Sequence, residues 1–391
     1  MSPLVQRARE VGTQVAASHA DAVDRDARFP AEAFAALKAA RLLGAMVPRD
    51  FGGEGATLAD IAAVCHELAQ HCPSTGMIYA MHQIQVACVV QHGQQSAWHR
   101  TLLERLAAEQ LLLASATTEA GIGGDVRSSS CAVEASGGRF RLEKNASVIS
   151  YGEAADGILV TARRTPDSPA SDQVIVAVLK DDCRLEQTVG WDTLGMRGTC
   201  SMGYRLSAEA GTEQILPLPY ADISARTMLP TTHILWASMW LGIATDAVGR
   251  ARAFVRAEAR KKPGSTPPGA LRLAEATTML NQMRASIVGA VRQYEEAQYQ
   301  ETAGDADRLT SMGFAVAMNT LKVGAAQTLV RIVEQALLVC GLNGYRNDSE
   351  YSVARHLRDA HSAPLMISND RILGNTANLL LVHKDTMGLF G

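Results

Sequence analysis

The hydrophobic periodicity of this chain changes twice, and that change constrains its fold more than any other feature. From Pro30 to Leu113 apolar residues recur every three or four positions, as in "AEAFAALKAARLLGAMV" and "LADIAAVCHELAQ", which predicts amphipathic helices. Between about Ala114 and Ala210 the texture becomes short β-branched runs, "GRFRLEK", "DGILVTARR" and "DQVIVAVLK", separated by turn residues. "RTPDSPASDQ" reads as the exposed loop joining two of these strands. From Leu216 the helical spacing returns, most clearly where Met279, Met283, Ile287, Ala290 and Tyr294 fall three or four apart. Prolines in "KKPGSTPPG" break this last part, because proline lacks an amide donor and clashes with the preceding turn. Thr57, after the Gly-rich turn "DFGGEGA", has the hydroxyl that opens a new helix.

The expected organisation is therefore an α+β multidomain chain. Residues 1–113 form an N-terminal helical domain, 114–212 a middle β-barrel-like domain, and 213–391 a C-terminal four-helix bundle. A net charge of −3 without polybasic segments argues against a nucleic-acid partner. No apolar run looks like a bilayer span and the N-terminus lacks a secretory plan, so a cytoplasmic protein without membrane insertion is expected. The seven cysteines contain no C-x-x-C or other tight metal-ligand pair, which predicts buried reduced thiols and no metal site.

Four motifs carry a resemblance. They are "ATTEAGIGGDV" opening the β region, "NASVISYG" after its long strand, "GWDTLGMRGTCS" at 190–201, and "VCGLNGYRNDSEYSVARHLRDA" at 339–360, with "VPRDFGGEGA" upstream. In order and spacing they resemble the acyl-CoA dehydrogenase family. Thr118-Glu119, Gly124-Asp125 and Val148-Ile149-Ser150-Tyr151 stand where that family lines its flavin. The resemblance implies FAD as cofactor, with Ser150 near the reactive ring nitrogen and Thr118 on the pyrimidine edge. It also implies Arg256 toward the flavin pyrophosphate of a neighbouring subunit and Gly344 in a turn whose backbone approaches that flavin. A homotetramer or homodimer follows from it too, as does an acyl thioester substrate on coenzyme A or an acyl-carrier protein.

The catalytic base is the departure. Acyl thioester dehydrogenation needs a carboxylate to take the proton beside the carbonyl. The family places a Glu eight residues after the Asp of its Arg-Asp pair, or ten before a helix glycine; here these positions are Ile367 and Thr232. His361 and Asp370 are the candidates for a relocated base, with His233, His82 and Tyr151 as further titratable residues. His82, inside an apolar helix, reads as a satisfied core histidine and Tyr151 as a packed phenol. The expected function is an acyl thioester dehydrogenase with a relocated base; the alternatives are a flavin monooxygenase on the same scaffold, whose usual His after the Arg-Asp pair is here Leu365 or Met366, and a redox-inactive binding protein or non-redox flavoprotein.

Overall fold

The computed structural model describes residues 2–121, 125–302 and 308–384; Gly124 of the Gly-Asp pair lies outside them. Helix α1 (Pro3–Val11) runs through a π turn into α2 (Ala17–Arg25), followed by α3 (Ala31–Ala39), α4 (Leu58–Ala69), α5 (Pro73–His92) and α6 (Ala97–Glu109). At the start of α4, Thr57 Oγ1 accepts from Asp60 N at 3.2 Å while the Asp60 carboxylate accepts from Thr57 N at 3.1 Å. This reciprocal box satisfies two backbone donors that a helix start otherwise leaves bare. Helix α5 is buried almost all round, which is why its apolar residues show no single face.

The β region contains two sheets. β1 (Leu113–Ala116), β4 (Gly157–Arg163) and β5 (Gln173–Leu179) make a three-stranded sheet in the order β1-β4-β5, with β1 parallel to β4. β2 (Glu134–Ser136), β3 (Arg139–Ile149), β6 (Cys183–Val189) and β7 (Met202–Gly211) form an antiparallel sheet in the order β2-β3-β7-β6. β4 and β5 are buried on both faces, as their unbroken apolar runs require. β3 alternates buried and exposed residues, and its pairing with β7 slips between Ala146 and Ile149. That bulge frees backbone groups of residues 147 and 148 just before Ser150.

The remaining helices are α7 (Tyr220–Ile223), α8 (Leu229–Lys261), α9 (Ala270–Thr302), α10 (Met312–Cys340), α11 (Leu342–Tyr345), α12 (Ala354–Ala360) and α13 (Asn369–Leu380). α8 packs against α4, α5, α9 and α10, so one hydrophobic core runs from the N-terminal helices through the sheets into the bundle. The proline-rich segment after Lys261 joins α8 to α9 as a loop. One expectation needs correcting: α10 is long and apolar enough to cross a bilayer by length and composition. Half of that apolar window is buried inside the protein, against α8 and α9, which marks it as a core helix of the bundle. Thr57→Ala is expected to cost about 1 kcal/mol, read as a lower urea midpoint at unchanged slope; an unchanged midpoint would show that the box contributes nothing.

Candidate functional site: a hydroxyl platform beside a corner without a base

The loop after β1 is anchored by a carboxylate in the protein interior. Glu119 accepts from Ser129 Oγ at 2.8 Å, Cys131 N at 2.9 Å, Ser130 N at 3.2 Å, the Ser130 hydroxyl, and Lys144 Nζ at 3.3 Å. Burial works to raise its pKa, but the Ser130 and Ser129 hydroxyls and the Lys144 charge outweigh it and hold the carboxyl below its usual range. Lys144 is fully buried and also donates to Thr161 O at 2.8 Å. The sequence reading passed over Lys144, although a lysine at an inward register of β3 is a legible signal: a charge there needs a partner.

This anchor places Thr118. Its hydroxyl donates to Val148 O, in the bulge, at 3.1 Å, and Ala120 N donates to Asn145 O at 2.9 Å. The hydrogen of Thr118 is thus in use, which leaves its hydroxyl oxygen to act as an acceptor. Two residues on, half-buried Ser150 lies 2.7 Å from Ser201 Oγ, which is 2.9 Å from Thr199 Oγ1; Thr199 donates to Met196 O at 2.8 Å. Tyr151 is buried, with its hydroxyl on Leu113 O at 2.9 Å and its pKa raised by burial. It is structural, as its sequence reading proposed.

Tyr151, Met196 and Cys200, all around this hydroxyl chain, have φ of 45°, 51° and 45°. Left-handed backbone is uncommon outside glycine and collects at functional sites, where surrounding contacts hold it. The chain is held from the C-terminal domain: Met196 N donates to Asp359 Oδ1 at 2.6 Å, and a Cβ added to Gly195 would lie 2.2 Å from Arg358 O. Arg358 in turn pairs with Asp24 of α2, whose carbonyl accepts from Arg197 Nε at 2.8 Å. Burial pushes the Asp359 carboxyl up to about 6, against the opposing pull of Met196 N–H and Arg355.

Beyond α12 the chain turns a corner that carries Ile367, at φ 45° and 43% exposed. Lys322 of α10 holds the corner from inside. Its Nζ donates to Asn369 Oδ1 at 2.7 Å, Ile367 O at 3.0 Å and Ala363 O at 3.2 Å, and lies 5.7 Å from the Trp240 ring centroid. With all three donors placed, burial lowers its pKa to about 8. Clefts open among the described residues, and the larger of these reaches Asp24 and Arg358. One of about 360 Å³ is lined by His92, Arg226 and Glu301, and one of about 610 Å³ by Asp246, Arg355 and His356.

Two family profiles match, acyl-CoA dehydrogenase N-terminal domain over residues 2–134 and acyl-CoA dehydrogenase C-terminal domain over residues 224–369. The chain belongs to the acyl-CoA dehydrogenase family. It is similar to the probable acyl-CoA dehydrogenase FadE25 of Mycobacterium tuberculosis, 26% identical over 90% of this chain and 87% of that protein. It is also similar to the amino sugar nitrososynthase DnmZ of Streptomyces peucetius, 24% identical over 88% of this chain and 84% of that protein. Among solved structures, FMN-bound TdsC from Paenibacillus sp. A11-2 aligns over 100% of both chains with a TM-score of 0.84 at 18% identity. The fold class and the oxidoreductase character expected from the motifs are those of this flavin-dependent family.

As a family member the protein has a platform that suits a flavin: the half-buried hydroxyls of Thr118 and Ser150, on loops tied to one β-bulge, match the polar edge of a flat ring. The two positions to which the resemblance assigns a base hold Ile367 and Thr232. Ile367 has no titratable atom, and the buried Thr232 hydroxyl donates to Met228 O at 2.6 Å. His361 and Asp370 are exposed on either side of the corner. His233 is buried, donates from Nδ1 to Met318 O at 3.0 Å, and is lowered by burial to about 4, so it is neutral near pH 7. His82 is a satisfied core histidine, as expected: Nε2 donates to Leu43 O at 2.9 Å and Nδ1 accepts from Leu113 N at 3.0 Å.

Arg256 is exposed on α8. Gly344 is buried in α11, where an added Cβ would lie 2.7 Å from Cys340 Cβ, so packing within the chain already requires a glycine there. The left-handed residue of that turn is Gly341, at φ 55°, which ends α10. All seven cysteines are free, five of them buried.

Two outcomes follow from these buried charges. Lys144→Met leaves Glu119 interior without its cation and is expected to cost about 3–5 kcal/mol; adding Glu119→Gln should recover part of that, and a milder single variant would contradict the pairing. Asp359 has a folded pKa of about 6, above the roughly 3.9 of an unfolded Asp. Its contribution is therefore fully present below about pH 4 and lost as pH rises through about 6. Asp359→Asn keeps the acceptor for Met196 N–H, so the wild type should lose about 2–3 kcal/mol relative to this variant between pH 4 and 7. Urea unfolding at both pH values measures it, and a difference independent of pH would contradict the assignment.

Proposed function

We propose that this chain is an FAD-dependent oxidoreductase of the monooxygenase type, acting without the carboxylate base of acyl thioester dehydrogenation. The observation that carries the reading is the pair Ile367 and Thr232, one without a titratable atom and the other with its hydrogen on Met228 O at 2.6 Å. Taking the proton beside a thioester requires a base within hydrogen-bond reach. Lys322, the buried ionisable group bound to this corner, has its three N–H groups on three oxygens and no lone pair to offer as an ammonium. An oxygen-dependent reaction takes its oxygen from O₂ and has no need of a Glu there. The relation to an amino sugar nitrososynthase supports the reading, since that name denotes a reaction other than acyl thioester dehydrogenation.

Bound FAD would carry two electrons from an external reductant to O₂, one oxygen atom going to the substrate and the other leaving as water. Thr118 would accept from a donor on the pyrimidine edge, and Ser150 would bond the edge near the reactive nitrogen, as the family resemblance implies. Lys322 keeps the corner in one conformation through its three acceptors, so the apolar Ile367 side chain stands at a defined place in the wall. Arg256, exposed and without an intrachain ion pair among the described residues, suits the phosphates of a flavin shared with a second subunit. Leu338, Leu342 and Tyr345, exposed to 58%, 70% and 71%, add apolar surface for a homodimer or homotetramer.

The second reading is an acyl thioester dehydrogenase, on coenzyme A or an acyl-carrier protein, with His361 or Asp370 as relocated base. Identity of 26% to FadE25 over 90% of this chain favours it. Anaerobic titration of the flavin-loaded protein with a series of acyl-CoA thioesters separates the two. No loss of flavin absorbance is expected from the wild type or from Ile367→Glu. Bleaching of the wild type that disappears in Asp370→Asn or His361→Gln would establish the dehydrogenase and name its base. Bleaching in Ile367→Glu alone would show that the pocket still takes thioesters and lost only its base, which also overturns the monooxygenase reading.

A further inference from the structure

Ser150, Ser201 and Thr199 form a chain of hydroxyls in which each link can run in either direction. Ser150 Oγ and Ser201 Oγ are 2.7 Å apart, and Ser201 Oγ and Thr199 Oγ1 are 2.9 Å apart. A hydroxyl both donates and accepts, so neither contact has a fixed sense. The inner end is Met196 O, 2.8 Å from Thr199 Oγ1. That carbonyl also accepts from Trp191 Nε1 at 3.2 Å and Thr199 N at 3.1 Å, so both of its lone pairs have donors without the threonine hydroxyl.

Two arrangements satisfy the whole chain. In the first, Thr199 donates to Met196 O, Ser201 to Thr199 and Ser150 to Ser201, and Ser150 presents lone pairs outward. In the second, Thr199 donates to Ser201, Ser201 donates to Ser150, and the Ser150 hydrogen points outward. Each hydroxyl keeps its own hydrogen, and the change is a set of rotations with no proton leaving any oxygen. The first arrangement has one extra bond, to Met196 O, a small preference that a ligand contact at Ser150 can reverse. Coupling through Ser201 makes the three rotate together, where an isolated serine would turn freely.

The surroundings keep the three oxygens in register. Tyr151 N donates to Thr199 O at 2.8 Å, and Asp359 Oδ1 holds Met196 N at 2.6 Å. Thr199 and Ser201 are buried while Ser150 is half-buried, so the chain has one open end. The three left-handed residues Tyr151, Met196 and Cys200 sit beside these oxygens. Strained backbone of this kind persists where its surroundings over-determine it.

We propose that Ser150, Ser201 and Thr199 are a reversible hydroxyl relay matched to the ring edge of bound flavin, donating to it when oxidised and accepting from it when reduced. The proposal rests on the flavin reading above. It makes Ser201 and Thr199 positioning residues that act through Ser150. Because the arrangement with lone pairs outward has the extra bond to Met196 O, the intact relay favours the reduced ring, whose edge nitrogen carries a hydrogen. Breaking the chain behind Ser150 removes that bias.

The test is the midpoint potential of the flavin-loaded full chain, measured by dye-coupled reduction for the wild type, Ser201→Ala, Thr199→Val, Thr199→Ser and Ser147→Ala. Ser201→Ala and Thr199→Val are expected to lower the ratio of reduced- to oxidised-flavin affinity by about fivefold to tenfold, tenfold being about 30 mV for a two-electron couple. Thr199→Ser, which keeps the hydroxyl, and Ser147→Ala, an exposed strand serine outside the relay, should stay at the wild-type potential. Thermal melts of the same samples identify a variant that has not folded, and either of the two relay-breaking variants alone suffices. A wild-type potential in a flavin-loaded Ser201→Ala or Thr199→Val overturns the relay and leaves the flavin reading standing, as does a shift in Thr199→Ser equal to that in Thr199→Val. A wild-type protein that takes up no flavin overturns the function proposed above and the relay with it.

Discussion

The backbone amide of Met196, donated to Asp359 at 2.6 Å, ties the connection between the β strands to the C-terminal helices beside the Arg358–Asp24 and Arg197–Asp24 contacts. Its residue lies in the connection between β6 and β7, its acceptor on α12, and the neighbouring Arg358 reaches Asp24 on α2. Helical domain, sheet and bundle therefore meet at one point. Gly195 is needed there because any Cβ would run into the Arg358 carbonyl at 2.2 Å. The carbonyl of Met196 faces the other way, toward Thr199, so the contact that fixes the domains also fixes the inner end of the hydroxyl chain. A buried carboxyl whose pKa is pushed up to about 6 is the energetic consequence of building the junction from a single aspartate.

The corner around Ile367 is built with comparable care and a different result. A buried lysine with three oxygen acceptors gives the turn one conformation, which a left-handed β-branched residue would otherwise disfavour. The corner is thus held in one conformation, and at position 367 it presents a hydrocarbon side chain between the exposed His361 and Asp370. Rigidity without a titratable group is what a site needs when shape rather than proton removal is asked of that position. Thr118 and Ser150 keep their hydroxyls, bonded to Val148 O and placed against Ser201.

The fold class was legible because periodicity is a local property. Helical spacing, the β-branched runs of β4 and β5, the cap at Thr57 and the proline-rich breaks all depend on residues within a turn or two of one another. Motif order singled out Thr118 and Ser150, which the structure places on Val148 O and beside Ser201. Lys322 was readable in principle, since Met318, Leu321, Ala325, Ala326 and Leu329 share its buried face of α10, and a lysine within that spacing requires acceptors. Lys144 was readable by the same logic on a strand. The Met196 to Asp359 contact spans 163 residues and leaves no local trace. Nor do the left-handed conformations of Met196, Cys200 and Ile367, because none of these is a glycine or asparagine and tertiary contacts alone impose them. Gly344 was legible as a glycine that matters, but not for what it packs against.

On the function proposed above, a flavin is held by the β1 loop and the end of β3, with neither Ile367 nor Thr232 as base. A crystal structure of the full chain grown with FAD tests it most directly. The expected result is a ring edge within hydrogen-bond distance of Ser150 Oγ and Thr118 Oγ1, with the Ile367 side chain on the substrate side. A flavin bound instead in the cleft lined by Asp246, Arg355 and His356, with Ser150 and Thr118 left to water, would contradict it.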